Sequence, residues 1–341
     1  MAGRGAASYD AVQETGFSHG FGQLEANRAL VEWMRDTNAD PGRRVTLQFY
    51  GFDTPTEMMY ADSPRQTLTF VLDYLASVDS ARAGAYRERI DPLLGQDAAW
   101  ETPEAAMDPS KSIGLSPAAT ALRIETEDLI AELRARRPEL VAQGDRSRYL
   151  EALQHASVAR QLLNYHAEVA RESSDRIVRL LSLREAAMAD NVAYIVSREQ
   201  DRGKVLVFAH NSHLQRGQAH WQLGPHALVW SPVGAHLAEM FGPRYAVIGS
   251  ALGTSEANGI GQPEPGTLEA RLTAAPGPAR FIPTHRGQGL PAAEIAALPA
   301  RSGSMKNTTY FALTPQSLSD FDWLAVLNST TYAVGGPSLP G

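Results

Sequence analysis

Cysteine is absent from all 341 residues of the sequence. Disulfide bonds, thiolate metal sites and a cysteine nucleophile are therefore excluded, and any chemistry must come from histidine, carboxylate, hydroxyl or arginine side chains. Long apolar runs are also missing, and residues 1–13 lack the apolar block of a signal peptide or a membrane span. We therefore expect a cytoplasmic protein with no membrane partner.

The sequence also lacks an excess of positive charge. It carries 31 Lys and Arg residues against 38 Asp and Glu residues, a net charge of -7, which argues against nucleic acid as the main partner. With 43% hydrophobic and 20% charged residues, the chain can bury a sizeable core. A small-molecule substrate is the favoured partner, and the sequence implies no cofactor.

Apolar periodicity divides the chain into helical and strand-forming stretches. It predicts a helix over residues 22–38 and, within the run at residues 44–53, a strand that ends at Gly51 with Asp53 just beyond its end. Residues 63–199 show almost only helical spacing. Apolar runs typical of core strands follow, and a Gly-, Pro- and Ala-rich stretch predicts loops at residues 253–303. The four predicted later strands are residues 204–210, 245–252, 307–313 and 323–328.

These stretches predict an α/β fold, a sheet core with a large helical insertion. The α/β core comprises residues 1–60 and 200–341, and the helical subdomain comprises residues 61–199. We expect a cleft between the two. Because α/β sheets bind ligands beyond the carboxyl ends of their strands, this cleft is the predicted ligand site.

His210, Asn211, Ser212 and His213 directly follow the apolar run at residues 204–209. Loops at the end of a strand often carry active sites, and imidazole is well matched to proton transfer near neutral pH. Two histidines three residues apart also suit a metal, but no third ligand has a recognisable spacing and no HExxH helix exists. Alternatively, one of them only hydrogen-bonds the backbone. We interpret His210 and His213 as catalytic, without a metal.

Arg184 and Asn191 interrupt an apolar stripe at helical spacing within residues 174–199. Desolvating a guanidinium is costly unless it meets a carboxylate or lines a wet cavity. Two interpretations therefore remain open. Arg184 pairs with an acid of a neighbouring helix, or it lines a ligand cavity.

Several blocks of the sequence resemble the erythromycin esterase family. LREAAMADNVAYIV (residues 183–196) has the family's Arg-acid dipeptide, Met and Asn on a helix, and KVLVFAHNSHL (residues 204–214) has its strand ending in His-Asn-x-His. LEANRALVEWMRDTN and LQFYGFD (residues 24–38 and 47–53) resemble the family's Glu, Trp-Met-Arg, Asn and Phe-x-Gly-x-Asp stretch. FDWLAVLNST (residues 321–330) is similar to its closing strand, so the resemblance extends over residues 22–330.

The resemblance implies a hydrolase that works without a metal on a cyclic or other carboxylic ester, such as a macrolide lactone, and so implies macrolide resistance. In this interpretation a histidine acts as general base on water, and arginine and acidic side chains orient the substrate. The matching positions expected to contact substrate are Arg184, Asn191, Asn211, Asp53 and Glu25.

One family element has no counterpart in the sequence. Family members carry, before the helix that begins near Glu25, a strand ending in a Gly-Glu…His-Gly…Glu motif whose histidine is the favoured base. His19 and Gly20 lie too close to that helix to be the same element. The chain is therefore predicted to be N-terminally short and to hydrolyse macrolide esters poorly or not at all. The alternative function is a non-catalytic small-molecule-binding remnant.

Overall fold

The computed structural model describes residues 8–17, 20–56, 61–286 and 295–336, so His19 lies outside the described residues. The chain forms two compact units. Unit 1 comprises residues 1–51, 199–221 and 231–341, and unit 2 comprises residues 52–198 and 222–230. Helices and strands are both present, which confirms the predicted mixed α/β class.

The helices lie in both units, and their bounds follow in chain order. Unit 1 begins with α1 (Glu25–Ala39). Unit 2 then contains α2 (Arg65–Val78), α3 (Ser80–Leu94), α4 (Asp97–Trp100), α5 (Pro117–Ala135), α6 (Arg137–Gln143), α7 (Arg146–Val169) and α8 (Arg176–Glu199). The later helices of unit 1 are α9 (Asn211–Leu214), α10 (Val233–Phe241), α11 (Leu268–Thr273) and a short one at Ser317–Asp320. Single 3-10 turns are Phe21–Gln23, Pro103–Ala106, Pro109–Lys111, Gly242–Arg244 and Glu256–Asn258.

Capping side chains start three of the helices of unit 2. Asp79, Ser116 and Asp145 each accept a backbone N–H of the first turn, in α3, α5 and α7 respectively. Pro117 occupies the first position of α5, where its missing N–H costs nothing. α2 and α5 both pack on α3 and α7 around a shared apolar core. The helical prediction for residues 63–199 is therefore confirmed.

Unit 1 contains a three-stranded sheet in the order β3-β5-β4, so β5 is central. Its strands are β3 (Ile248–Thr254), β4 (Ala279–Pro283) and β5 (Trp323–Ser329). Two strands that come earlier in the chain, β1 (Ala219–Leu223) and β2 (His226–Trp230), form a separate two-stranded sheet. β3 runs parallel to β5 with Ile248 opposite Trp323, and β4 runs antiparallel with Ala279 opposite Leu327. β3 is thus an edge strand of the described sheet.

The core of unit 1 lies against one face of this sheet. Leu324 and Val326 of β5 are fully buried and pack with Phe321, which is 1% exposed. β3 approaches Phe321 so closely that a Cβ at Gly249 would lie 2.6 Å from its ring. Any larger residue at position 249 would therefore displace this ring.

Two predicted strands are confirmed, at residues 245–252 (β3) and 323–328 (β5), and three are wrong. Residues 44–53 and 204–210 find no strand partner among the described residues. Instead, the Asn38 side chain bonds both the N–H (2.7 Å) and the C=O (2.9 Å) of Leu47. At residues 307–313, Asn307 accepts the N–H of Thr309 (3.1 Å) and forms a turn. The sequence also did not predict β1, β2, β4 or α11, the last two within the expected loops at residues 253–303.

Residues 204–209 expose an apolar surface with the period of a strand. Leu206 is 93% and Phe208 is 92% exposed, whereas Val205 and Val207 between them are partly buried. Within the described part of the chain, no backbone hydrogen bond involves these six positions. An unpaired segment with apolar side chains on one face is prone to edge-to-edge association.

We expect the Leu206→Lys, Phe208→Lys double variant to raise the soluble fraction of the protein, because charge on an unpaired strand blocks intermolecular pairing. Light scattering during concentration measures the effect. Met305→Lys is the matched control, since Met305 is 98% exposed but lies outside an apolar run. Equal aggregation of the double variant and the wild type would contradict this prediction.

Glu269 of α11 is a carboxyl buried in unit 1, with no exposed surface. Its Oε1 accepts the N–H of Leu313 at 2.6 Å, but its Oε2 has no partner among the described residues. Burial raises the pKa of Glu269, although the N–H of Leu313 and the positive charge of Arg301 oppose the rise. Burial also raises the pKa of Tyr310 to about 12, with a further contribution from Glu269.

The raised pKa of Glu269 predicts a stability that falls with rising pH. The native state keeps its proton where the unfolded chain has lost it, so the contribution of Glu269 is complete below the usual pKa of 4.5 and is lost as the pH rises through the native value. We expect Glu269→Gln to match the wild type near pH 4 and to be more stable at pH 8, by about 1–2 kcal/mol. Urea unfolding measures this, and Glu239→Gln, at an exposed position of α10, is the control. Parallel wild-type and Glu269→Gln curves would refute it.

Candidate functional site

The two predicted catalytic histidines lie on one tight turn of unit 1, residues 210–214, which we call the histidine turn. His210 is the N-cap of α9, and its carbonyl accepts the N–H of His213 at 3.0 Å. The backbone N–H of Ser212 donates to Nδ1 of His210 at 3.1 Å, and the Ser212 hydroxyl lies 2.7 Å from the same nitrogen. Because Nδ1 accepts from a backbone N–H, neutral His210 carries its proton on Nε2.

Surrounding protein keeps His210 in the neutral form. The residue as a whole is exposed, but its ring makes an edge contact with Phe311 at a centroid distance of 5.5 Å and an angle of 75°. Burial lowers the pKa of His210 below its usual 6.5, and the neighbouring His213 lowers it further, while the backbone of Thr309 raises it. The imidazole therefore stays uncharged at neutral pH.

Asn211, expected from the resemblance to contact substrate, directs its amide at β3. Its Nδ2 donates to the carbonyl of Ser250 at 2.8 Å, and its Oδ1 accepts the backbone N–H of Ser250 at 3.0 Å and the Ser250 hydroxyl at 3.2 Å. At the other end of the histidine turn, the Tyr245 hydroxyl donates to the carbonyl of Leu214 at 2.5 Å. Burial raises the pKa of Tyr245 to about 12, so it remains a donor.

Unit 2 contains the second predicted set, Arg184, Asn191 and Asp53, and brings them together. The Arg184 guanidinium donates two hydrogen bonds to Asp53, from Nε to Oδ1 at 3.1 Å and from Nη2 to Oδ2 at 2.5 Å. The side chains are 16% and 23% exposed. Desolvation opposes ionisation of Arg184, but the hydrogen bond and charge of Asp53 outweigh it and raise the pKa of Arg184. Arg184 therefore pairs with an acid, as one of the two interpretations expected, but this acid belongs to a loop and not to a neighbouring helix.

Asn191 is 4% exposed and joins three segments of unit 2. Its Nδ2 donates to the carbonyl of Phe52 at 2.9 Å, and its Oδ1 accepts from Gln154 at 2.7 Å and from Gln161 at 3.1 Å. Sequence reasoning did not find the two glutamines, although they lie seven residues apart on α7 and so share one helix face. Tyr165, four residues beyond Gln161, is also close enough for Arg184 and Asp53 to affect its pKa, which burial raises.

The remaining predicted contact, Glu25, is exposed in the first turn of α1, and its backbone N–H donates to the carbonyl of Val334 at 3.1 Å. Among the described residues, no three His, Asp or Glu side chains are grouped as metal ligands. No helix in this part of the chain has both the length and the apolar character needed to cross a membrane. The expectation that the residues of both units face one cleft stays a prediction.

The three-stranded sheet, the helical unit and the histidine turn define a mixed α/β protein with two compact units. The chain belongs to the erythromycin esterase family, whose family model matches residues 2–330. This membership confirms the family that the signature blocks indicated and supports a hydrolase of the esterase kind. No curated protein matches the chain.

Solved structures share this fold at low sequence identity. A Bacillus cereus protein superposes with a TM-score of 0.69 at 16% identity, covering 97% of this chain and 79% of its own. A succinoglycan biosynthesis protein gives 0.64 at 18% identity, covering 96% and 77%. A mutant of the erythromycin esterase EreC in its open conformation gives 0.56 at 20% identity, covering 88% and 72%. At these identities the likeness concerns the fold alone.

Proposed function

We propose that the chain hydrolyses a carboxylic ester, with a macrolide lactone as the type of substrate, by general-base activation of water at the histidine turn. Family membership supports the reaction class. The observation that carries the proposal is the pair of imidazoles on one turn, with His210 neutral and oriented by the Ser212 N–H. A neutral imidazole can act as a base through its lone pair or as a hydrogen-bond donor through its N–H, and ester hydrolysis uses both roles.

The hydrogen bond from the Ser212 N–H gives the two histidines different roles. Because the lone pair of His210 Nδ1 is occupied, the N–H of His210 lies at Nε2. We assign this N–H to a developing oxyanion, which would take the place of the Thr309 backbone as its acceptor. Proton abstraction then falls to His213. Water attacks the ester carbonyl carbon and gives its proton to His213, which returns it to the alcohol oxygen as the C–O bond breaks. The products are a carboxylic acid and an alcohol.

The test is turnover of a macrolide lactone by the 341-residue chain. Mass spectrometry detects ring opening as the gain of one water, and a panel of simple carboxylic esters tests the broader class. The same assay shows whether turnover is as weak as the sequence predicts. Absence of hydrolysis across lactones and linear esters at high protein concentration would reject the proposed function.

A further inference from the structure

A side chain bonds the outer edge of β3, at backbone groups with which another strand could pair. Edge strands present N–H and C=O groups without a ladder partner. At Ser250 both groups are taken by the Asn211 amide, with the donor bond at 2.8 Å and the acceptor bond at 3.0 Å. A primary amide carries a donor and an acceptor side by side, as a peptide group does. Asn211 therefore bonds both the N–H and the C=O of Ser250, as a neighbouring strand would.

We propose that Asn211 is a positioning residue that fixes the imidazoles of His210 and His213 against β3. This inference rests on the proposed function, because Asn211 affects catalysis only by positioning the two histidines. It also assigns the Asn211 amide to the strand backbone and leaves substrate contact to other groups.

The histidine turn needs such an anchor because it is short. α9 has only four residues, and a helix of one turn does not hold its own shape in water. The Tyr245 bond to Leu214 fixes the end beyond His213. Asn211 fixes the opposite end, next to His210, and the internal bond from the His213 N–H to the His210 carbonyl couples the two rings to both anchors.

Loss of the amide is expected to slow catalysis without weakening substrate binding. A misplacement of about 1 Å in a catalytic group costs on the order of 10²-fold in rate. We expect Asn211→Ala to lower kcat by about 10- to 100-fold with little change in KM. An Asn211 that binds substrate directly would instead raise KM.

Asn211→Asp tests the same bond through its protonation state. The carboxylate accepts the Ser250 N–H but repels the Ser250 carbonyl, whereas the protonated carboxyl donates to that carbonyl as the amide does. The ratio of Asn211→Asp to wild-type kcat should therefore rise toward 1 as the pH falls through the carboxyl pKa. The Asn211→Ala ratio should not change with pH.

A titration of the histidines by NMR needs no activity and gives the independent readout. The pKa of His210 should rise toward its usual 6.5 in Asn211→Ala, because the released ring gains solvent. The matched control is Asn328→Ala, which removes an amide of β5 that bonds the carbonyl of Ala275 at 3.2 Å, and it should change neither kcat nor the titration.

The outcomes separate the two proposals. A shifted His210 titration in Asn211→Ala, with no hydrolysis by the wild type, supports the positioning role and overturns the proposed function. An unchanged titration with normal kcat overturns the positioning role, whether or not KM rises. If Asn211→Ala does not fold, the pH-dependent ratio of Asn211→Asp decides, and a ratio without pH dependence overturns the proposal.

Discussion

The His210→Ala, His213→Ala double variant is expected to lose ester hydrolysis by about 10²- to 10⁴-fold in kcat. The reason is the loss of both imidazoles of the histidine turn, one proposed as base and the other as donor to the oxyanion. Steady-state rates on the best ester of the panel measure the loss. His226→Ala is the control, because His226 is an exposed histidine of β2.

Single variants distinguish the two roles. His213→Ala removes the proposed base, so added imidazole should restore part of its rate. His210→Gln keeps a hydrogen-bond donor and should retain more activity than His210→Ala. Full turnover by the double variant would show that the base lies outside the histidine turn.

The protonation of His210 can be measured without any assay of activity. Because burial lowers its pKa, the imidazole of His210 should stay uncharged below the usual 6.5, and an NMR titration of the wild-type protein measures this. A His210 ring that is already half protonated at pH 7 would contradict the prediction.

The strands show what apolar patterning can and cannot predict. The apolar pattern predicted β3 and β5, and both form strands because each has a paired neighbour in unit 1. The same kind of run at residues 204–209 forms no strand, since strand formation depends on a partner as much as on the sequence itself. At Asn307 a local side-chain bond to the backbone of Thr309 prevails over the strand propensity of the residues that follow.

The candidate site shows the same division. The apolar run at residues 204–209 placed His210 and His213 together in the segment that follows it, and helical spacing placed Arg184 and Asn191 on one side of α8. No pattern predicted the partner of Arg184, because Asp53 is 131 residues away along the chain. Nor did any predict the bond from Asn211 to Ser250, since it forms between segments whose contact depends on the fold.

Arg184→Ala is expected to destabilise unit 2 by roughly 2–4 kcal/mol, since removing one partner of a buried pair leaves the other charge uncompensated. Asp53 would lose both of its bonds to the guanidinium while remaining only 23% exposed. Arg184→Lys keeps the charge but not the two-point geometry, so it should fall between alanine and the wild type. Urea unfolding measures the change in free energy.

An exposed pair of the same unit provides the matched control. Arg87 of α3 bonds Asp73 of α2 at 2.6 Å, but these side chains are 34% and 67% exposed. Arg87→Ala should therefore cost about 0–1 kcal/mol. Equal costs for Arg184→Ala and Arg87→Ala would mean that the Arg184 pair adds no more stability than a surface pair. The alternative interpretation, in which Arg184 binds a ligand, would then be favoured. In that case Arg184→Ala should raise KM.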